Sequence, residues 1–246
     1  MSIYQQIQHH SLTGKKQFAW LVDPDKYTDT GLENSVKIAV KAGVDLVFIG
    51  GSLLVDNRVE KCINIIKSNS NLPTVLFPGS PQQVSDAADA LLFLSLISGR
   101  NADLLIGRHV EAAPYLKKSK LEIMPTGYML VDCGKPTTAS YISNTFPIPY
   151  DKPDIAACTA MAGELLGLKL IYMDGGSGAA KPISPKMIEQ VKASVDIPII
   201  VGGGIRTREQ LTDACNAGAD VIVIGNAIES DPELLFYFAE VMKAAV

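Results

Sequence analysis

PIIVGGGIRTREQL, residues Pro198 to Leu211, decides the fold. Pro198 to Val201 is a short apolar run with no polar alternation, the pattern of a strand covered on both faces. Gly202 to Gly204 follow, and Thr207 with Gln210 three residues on forms a capping box before Leu211. Strand, glycine turn and capped helix make one β/α unit. Working outward, similar runs lie at Phe18–Val22, Asp45–Ile49, Thr74–Phe77, Ala90–Leu94, Leu121–Met124, Lys169–Met173 and Asp220–Ile224, giving eight in all. Eight is the number that closes a parallel (βα)8 barrel.

The intervening segments carry helical periods with readable ends. Leu32, Val36, Ala39 and Val40 share a face and stop at Gly43, and Val59, Cys62, Ile63 and Ile66 repeat the stripe. Asp151 is the expected cap of a helix with Pro153 in its first turn, running through Ala156, Met161 and Leu165 to Gly167. Ser184-Pro185 and Asp231-Pro232 open two more. No composition shift marks a linker, so the expectation is an α/β fold, one (βα)8 barrel over residues 1–246. The stretch from Tyr128 to Tyr150, with Gly134, Pro136, Pro147 and Pro149, has no clear period and reads as a flap or an extra short element.

Composition narrows the partners. With 47% hydrophobic residues and 246 in total, the chain can bury a large core, and no apolar run reaches the roughly 18 residues of a membrane span. The formal charge of -4, without Lys/Arg blocks, argues against nucleic acid. Anionic ligands are therefore expected on backbone N–H groups or a metal. The four cysteines show no CxxC spacing, and MSIYQQIQHH lacks the features of a secretion signal, so the expected compartment is the cytoplasm.

In such barrels the chemistry lies just after each strand. Three neighbouring strand ends are glycine-rich: YMDGGSGA (Tyr172–Ala179), GGGIR (Gly202–Arg206) and GNAI (Gly225–Ile228). Glycines let successive N–H groups point into one concavity, so a phosphate site after strands six to eight is expected. Ser177 adds a hydroxyl, and Tyr172 and Asp174 can address the rest of the ligand. Strand one ends in DPDK (Asp23–Lys26) and strand two in GGS (Gly50–Ser52). A carboxylate and a hydroxyl on adjacent strand ends suit Mg²⁺, and Asp23, first after the strand, is better placed than Asp25. The ends of strands three to five are weakly polar; with Leu96, Ile97 and Met124 they read either as rim packing or as an apolar half of the mouth for a hydrocarbon tail. His9, His10 and His109 group with no Ser or Cys nucleophile and read as helix or surface residues.

In their order, DPDK, FIGGS, LFPGS, PTGY, KPDIAA, YMDGGSGA, IVGGGIR and IGNAI resemble the geranylgeranylglyceryl phosphate synthase family, which includes the bacterial heptaprenylglyceryl phosphate synthases. The resemblance runs from about Leu21 to Ile228, and the 128–150 stretch with KPDIAA is similar to the longer-chain branch. It implies a Mg²⁺-dependent prenyltransferase that joins sn-glycerol 1-phosphate to a long-chain isoprenyl diphosphate, of geranylgeranyl length, with release of diphosphate. It further implies Asp23 and Ser52 as Mg²⁺ ligands. Tyr172, Met173, Asp174, Gly175, Gly176, Ser177 and Gly178 would surround the glycerol phosphate, with Gly203, Gly204, Gly225 and Asn226 on its phosphate. Asp174 is the implied residue that orients or deprotonates the attacking hydroxyl. A dimer or hexamer, and a peripheral contact with a membrane for release of product, complete what the resemblance suggests. Two positions depart from the family pattern: relatives commonly carry Glu where Asp174 stands, and short-chain members place a Lys at the position of Leu21, which Lys26 replaces only if its loop folds inward. Small residues Ala112 and Ala113 would leave a tail tunnel open. The other readings of the same residues are an isomerase or synthase of amino-acid biosynthesis and a non-catalytic barrel that binds a phosphorylated ligand.

Overall fold

The computed structural model describes residues 1–56 and 58–244. Eight parallel strands close in sequence order: β1 (Gln17–Val22), β2 (Leu46–Ile49), β3 (Thr74–Leu76), β4 (Ala90–Leu96), β5 (Glu122–Leu130), β6 (Leu170–Asp174), β7 (Ile199–Gly202) and β8 (Val221–Ile224). All eight predicted runs are strands. β4 and β5 extend past their expected ends and pair from Ala90↔Glu122 to Leu96↔Tyr128, which raises that side of the mouth.

The strands divide their side chains by the two-residue period. One set, including Leu46, Phe48, Val75, Leu92, Met124, Leu170, Tyr172, Ile200 and Val221, packs within the barrel. The other set, including Trp20, Val47, Leu91, Ile171, Met173 and Ile222, packs beneath the helices. The floor is sealed by α1 (Ile3–Thr13), whose Ile7 is fully buried against the inner set. The Glu122 carboxylate at the foot of β5 accepts from Ile3 N at 2.7 Å and Tyr4 N at 2.9 Å, satisfying donors that every helix start leaves free. The N-terminal sequence gives little warning of this plug.

The outer layer contains α2 (Asp29–Ala42), α3 (Val59–Asn69), α4 (Arg108–Leu116), α5 (Thr138–Ser143), α6 (Pro153–Leu165), α7 (Pro185–Lys192), α8 (Arg208–Asn216), α9 (Asn226–Ser230) and α10 (Leu234–Ala244). Gly43 ends α2 in the left-handed conformation and the Thr207 capping box opens α8, as their sequences require. The expected Asp151 cap is incorrect. Lys152 is the N-cap of α6 and makes no side-chain cap bond, because Pro153 at its first position already fixes the turn. Its predicted stripe is also shifted: Ala156, Ala157, Ala160 and Gly163 are buried, whereas Met161 and Leu165 are exposed. Small residues let this helix lie close to the sheet, leaving its larger apolar side chains outside.

One helix of the regular alternation is missing. The β3–β4 connection holds only a single 3-10 turn, Pro81–Gln83, so no full helix covers that flank of the barrel. The 128–150 stretch supplies an extra element, since its first residues complete β5, α5 follows, and Val131 pairs with Ile148 in an isolated parallel bridge.

Candidate active site

At the end of β1, Asp23 opens a 3-10 turn, and its Oδ1 accepts from Asp25 N at 3.0 Å. Its other oxygen faces the end of β2: a Cβ on Gly51 would lie 3.5 Å from Asp23 Oδ2. Burial raises the Asp23 carboxyl above its ordinary value, against the opposing Asp25 N–H bond. Asp25 turns elsewhere, accepting from Val55 N at 2.7 Å, so it ties down the β2–α3 loop. Asp23, Ser52 and Lys26 line the same polar cavity, so the Lys26 loop does fold inward. Glu229 of α9 joins them, its carboxyl raised by burial and then by the nearby Asp23 charge.

Opposite this corner, Gly176, Ser177, Gly178, Gly203, Gly204, Gly225 and Asn226 line the cavity. Among the described residues, the N–H groups of Ser177, Gly178, Gly203, Gly204, Gly225 and Asn226 meet no protein acceptor, which leaves an array of donors for an anion. The chain reaches this shape only with glycine at several positions, Gly203 and Gly204 among them. Gly203 has φ +87°, and a Cβ there would lie 2.8 Å from Gly175 N; Gly204 has φ +77°, and its Cβ would meet Lys181 O at 2.3 Å. Ser177 Oγ donates to Asn226 Oδ1 at 3.1 Å, linking the β6 and β8 loops. Arg206 also lines the cavity, and its guanidinium donates to the Ala179 and Ala180 carbonyls, fastening the β6 loop to the β7 end.

Asp174 ends β6 and is 8% exposed. Its Oδ2 accepts from Tyr128 Oη at 2.6 Å and its Oδ1 from Gly176 N at 2.7 Å. Burial raises the carboxyl above the usual range, while the two donors pull it back toward the charged form. Tyr128 and Tyr172 are both held well above the normal phenol range by burial and by the Asp174 charge, so they remain O–H donors. Their rings pack edge to face with centroids 5.7 Å apart, and Phe77 stacks on Tyr172 at 4.8 Å. Phe77, Tyr128 and Tyr172 thus form an aromatic cluster at the head of the barrel.

Beyond this cluster lies a second, apolar cavity, lined by Pro81, Val84, Leu91, Phe93, Leu96, Ala112 and Leu116 among others. It opens where the missing helix leaves β4 uncovered. Ala112 lines it, as its small size suggests; His109 is another wall residue, its ring edge-on to Phe93 at 4.4 Å. The polar and apolar cavities share Gly51, Ser52 and Phe77.

Several expectations need correction. Met173 is fully buried in the layer beneath the helices, because it alternates with the inward Tyr172 and Asp174. Gly175 does not line the cavity either; its N–H is spent on Gly202 O at 3.0 Å. Of the three residues expected in the apolar half, only Leu96 lines the cavity: Met124 belongs to the barrel interior and Ile97 packs toward Gly127 and Gly163. Backbone N–H groups and a metal were the expected anion partners, but two cationic side chains, Lys26 and Arg206, also line the polar cavity from distant strand ends. Glu229 and Gln83 were not anticipated: Glu229 lies in α9, one residue past the GNAI stretch, and Gln83 in the 3-10 turn after β3.

A (βα)8 barrel with an array of unengaged N–H donors beside an apolar cavity belongs to the class of barrels that handle phosphorylated and apolar molecules. Within that class the chain belongs to the PcrB family, whose model matches residues 10–244. It is 54% identical over 243 residues to a geranylgeranylglyceryl phosphate synthase of Chitinophaga pinensis, covering 99% of this chain and 96% of the relative. A synthase of the same name from Spirosoma linguale is 53% identical, covering 96% and 95%. The structure is similar to that of the (S)-3-O-geranylgeranylglyceryl phosphate synthase from Thermoplasma acidophilum in complex with its substrate sn-glycerol-1-phosphate. That likeness has a TM-score of 0.93 at 30% identity and covers 100% of this chain and 98% of the other.

Proposed function

We propose that this chain is a prenyltransferase that couples sn-glycerol 1-phosphate to a long-chain isoprenyl diphosphate, making a prenylglyceryl phosphate ether and diphosphate. The observation that carries this reading is the junction of two unlike cavities at Gly51, Ser52 and Phe77, one polar with free N–H donors and one apolar. A diphosphate on a hydrocarbon tail is the ligand whose two halves match that junction, with its reacting carbon at the seam.

The N–H groups of Gly203, Gly204, Gly225 and Asn226 bind the phosphate of the acceptor. Asp174 orients its attacking hydroxyl and draws off the proton, and Tyr128 holds the carboxylate in place. The electron-rich faces of Phe77, Tyr128 and Tyr172 favour the positive charge that grows on the allylic carbon as its bond to oxygen weakens. Lys26 offers a positive charge to the departing diphosphate.

Mg²⁺ fits this corner. Among the described residues no group of three or more His, Cys, Asp or Glu side chains forms a metal cage, and Mg²⁺ needs none, taking one or two protein oxygens and completing its shell with water and substrate phosphate. Asp23 Oδ2 and the Ser52 hydroxyl are the oxygens that would hold it. When bound, it supplies charge against the leaving diphosphate.

Among the described residues, no helix is long and apolar enough to cross a membrane. A cytoplasmic enzyme that touches a membrane only to release its lipid product accords with that. Self-association as a dimer or hexamer is supported by Leu165 and Leu166, 87% and 80% exposed at the end of α6.

Purified protein incubated with labelled sn-glycerol 1-phosphate, Mg²⁺ and prenyl diphosphates of several lengths should yield a labelled product that partitions into organic solvent. No such product with any donor would defeat the assignment and favour a phosphate-binding barrel of another function.

A further inference from the structure

Gln83 has one of the few buried polar side chains near the mouth, at 5% exposure, and it stands in the 3-10 turn that replaces a helix after β3. Its amide is almost fully used. Oε1 accepts from Gly79 N at 3.1 Å and Gly51 N at 3.3 Å, and Nε2 donates to Gly51 O at 2.8 Å. One side chain therefore engages both backbone groups of Gly51 and adds a neighbour from the next strand end. A primary amide suits this place because Gly51 presents a donor and an acceptor together and the amide answers both.

The backbones held in this way approach more closely than side chains permit. A Cβ on Gly79 would lie 2.4 Å from Gly51 O and 2.8 Å from Ser52 O, and one on Gly50, at φ +150°, would lie 2.0 Å from Phe77 O. With the Gly51 carbonyl turned onto Gln83, the trans peptide turns the Ser52 N–H the opposite way. That N–H meets no protein acceptor among the described residues. Gly51 and Ser52, with Phe77, are also the residues common to the polar and apolar cavities.

We propose that Gln83 is a positioning residue for the diphosphate of the prenyl donor: by clamping the Gly51 peptides it fixes the Ser52 N–H and hydroxyl at the seam where that diphosphate sits. The inference rests on the prenyltransferase reading. It assigns to the residue no contact with substrate. The phosphate corner made by β6 to β8 is built from other elements and does not depend on it.

The test compares wild type with Gln83→Met, which keeps the volume and loses all three bonds, and with Gln83→Glu, measured at a pH where the carboxylate is ionised, which keeps the shape and the two accepted bonds but cannot donate to Gly51 O. Binding of inorganic diphosphate in the presence of Mg²⁺, and separately of sn-glycerol 1-phosphate, is measured by calorimetry alongside steady-state KM for both substrates. For Gln83→Met, diphosphate affinity should fall about 10-fold or more, with a matching rise in the KM for the prenyl donor, since a lost hydrogen bond of this kind is worth about that factor. Gln83→Glu should fall in between, and glycerol phosphate affinity should stay within about twofold in both. Unchanged diphosphate binding in either folded variant, or equal losses at both ligands, would overturn the proposal. If Gln83→Met does not fold, Gln83→Glu alone decides by the same criterion. Because diphosphate binding is read without turnover, failure of wild-type protein to make any ether would sink the proposed function while leaving the Gln83 result legible.

Discussion

Tyr128 Oη donates to Asp174 Oδ2 across 2.6 Å, joining the end of β5, on the side of the apolar cavity, to the buried carboxylate that ends β6 in the polar cavity. The bond favours the ionised acid in a place where burial disfavours it. Removing the hydroxyl by Tyr128→Phe should lower kcat/KM about 10- to 100-fold, the worth of one hydrogen bond to a charged group. It should also move the acid limb of the pH profile. The Asp174 carboxyl is already raised by burial, so that limb is expected above the ordinary carboxylate range; losing a donor to the charged form raises it further, and activity should fade at a higher pH than in wild type. A limb that stays in place would separate Tyr128 from the ionisation of Asp174.

Asp174→Ala removes the acceptor itself. The fold and phosphate binding should survive, because the N–H array belongs to the Gly203, Gly204 and Gly225 backbones, while ether formation should fall by at least about 100-fold. Calorimetry with sn-glycerol 1-phosphate beside a turnover assay makes the comparison. Full turnover would remove Asp174 from the chemistry.

At the metal corner, Asp23→Asn keeps the oxygen that accepts from Asp25 N and withdraws the negative charge that faces Gly51. The Mg²⁺ concentration for half-maximal rate should rise about 10-fold or more, and Mg²⁺-dependent diphosphate binding should weaken with it. A metal titration that superimposes on wild type would reject Asp23 as a ligand.

Ala112 lines the apolar cavity on the α4 side. Ala112→Trp should fill it, costing about 1–3 kcal/mol for a 20-carbon donor and much less for a 10-carbon one. Donor competition read by mass spectrometry should therefore show a shift toward short-chain products. An unchanged product distribution would place the tail elsewhere.

Two glycines of the phosphate corner should behave differently. Gly203→Ala combines a left-handed φ of +87° with a Cβ 2.8 Å from Gly175 N, so it should lose about 1–3 kcal/mol of stability together with phosphate binding. Gly225 has φ -123°, and its nearest Cβ contact would be Leu21 Cβ at 3.3 Å, so Gly225→Ala should fold with at most a small drop in Tm. Thermal melts of both variants, with and without sn-glycerol 1-phosphate, measure the contrast.

Much of this molecule can be read along the chain because its information is local. The strands are continuous apolar runs, the helix ends carry Gly43, Thr207 and Ser184, and the glycine clusters sit directly after strands six, seven and eight. The expectation failed where side-chain direction mattered. Met173 lies within the best motif of the chain, yet the two-residue period turns it away from the mouth. Met161 and Leu165 fit a helical stripe, yet α6 approaches the sheet through alanines and a glycine and leaves both outside. Arg206 was hidden for a related reason: no basic block exists in the sequence, and it joins Lys26, which the sequence offered only if its loop folds inward, from a different strand end.

The sequence by itself determined the eightfold alternation, the glycine-rich ends of strands six to eight and the acidic residue that ends strand six. These follow from periodicity and from the conformations that only glycine adopts. Closure of the barrel decided the rest. It placed Tyr128 beside Asp174, 46 residues apart in the chain, and Gln83 on Gly51, 32 apart. It also left an apolar cavity between β4, α4 and the Pro81–Gln83 turn that stands where a helix would be. Hydrogen bonds and voids between distant segments depend on register and sheet closure, and no local pattern encodes them.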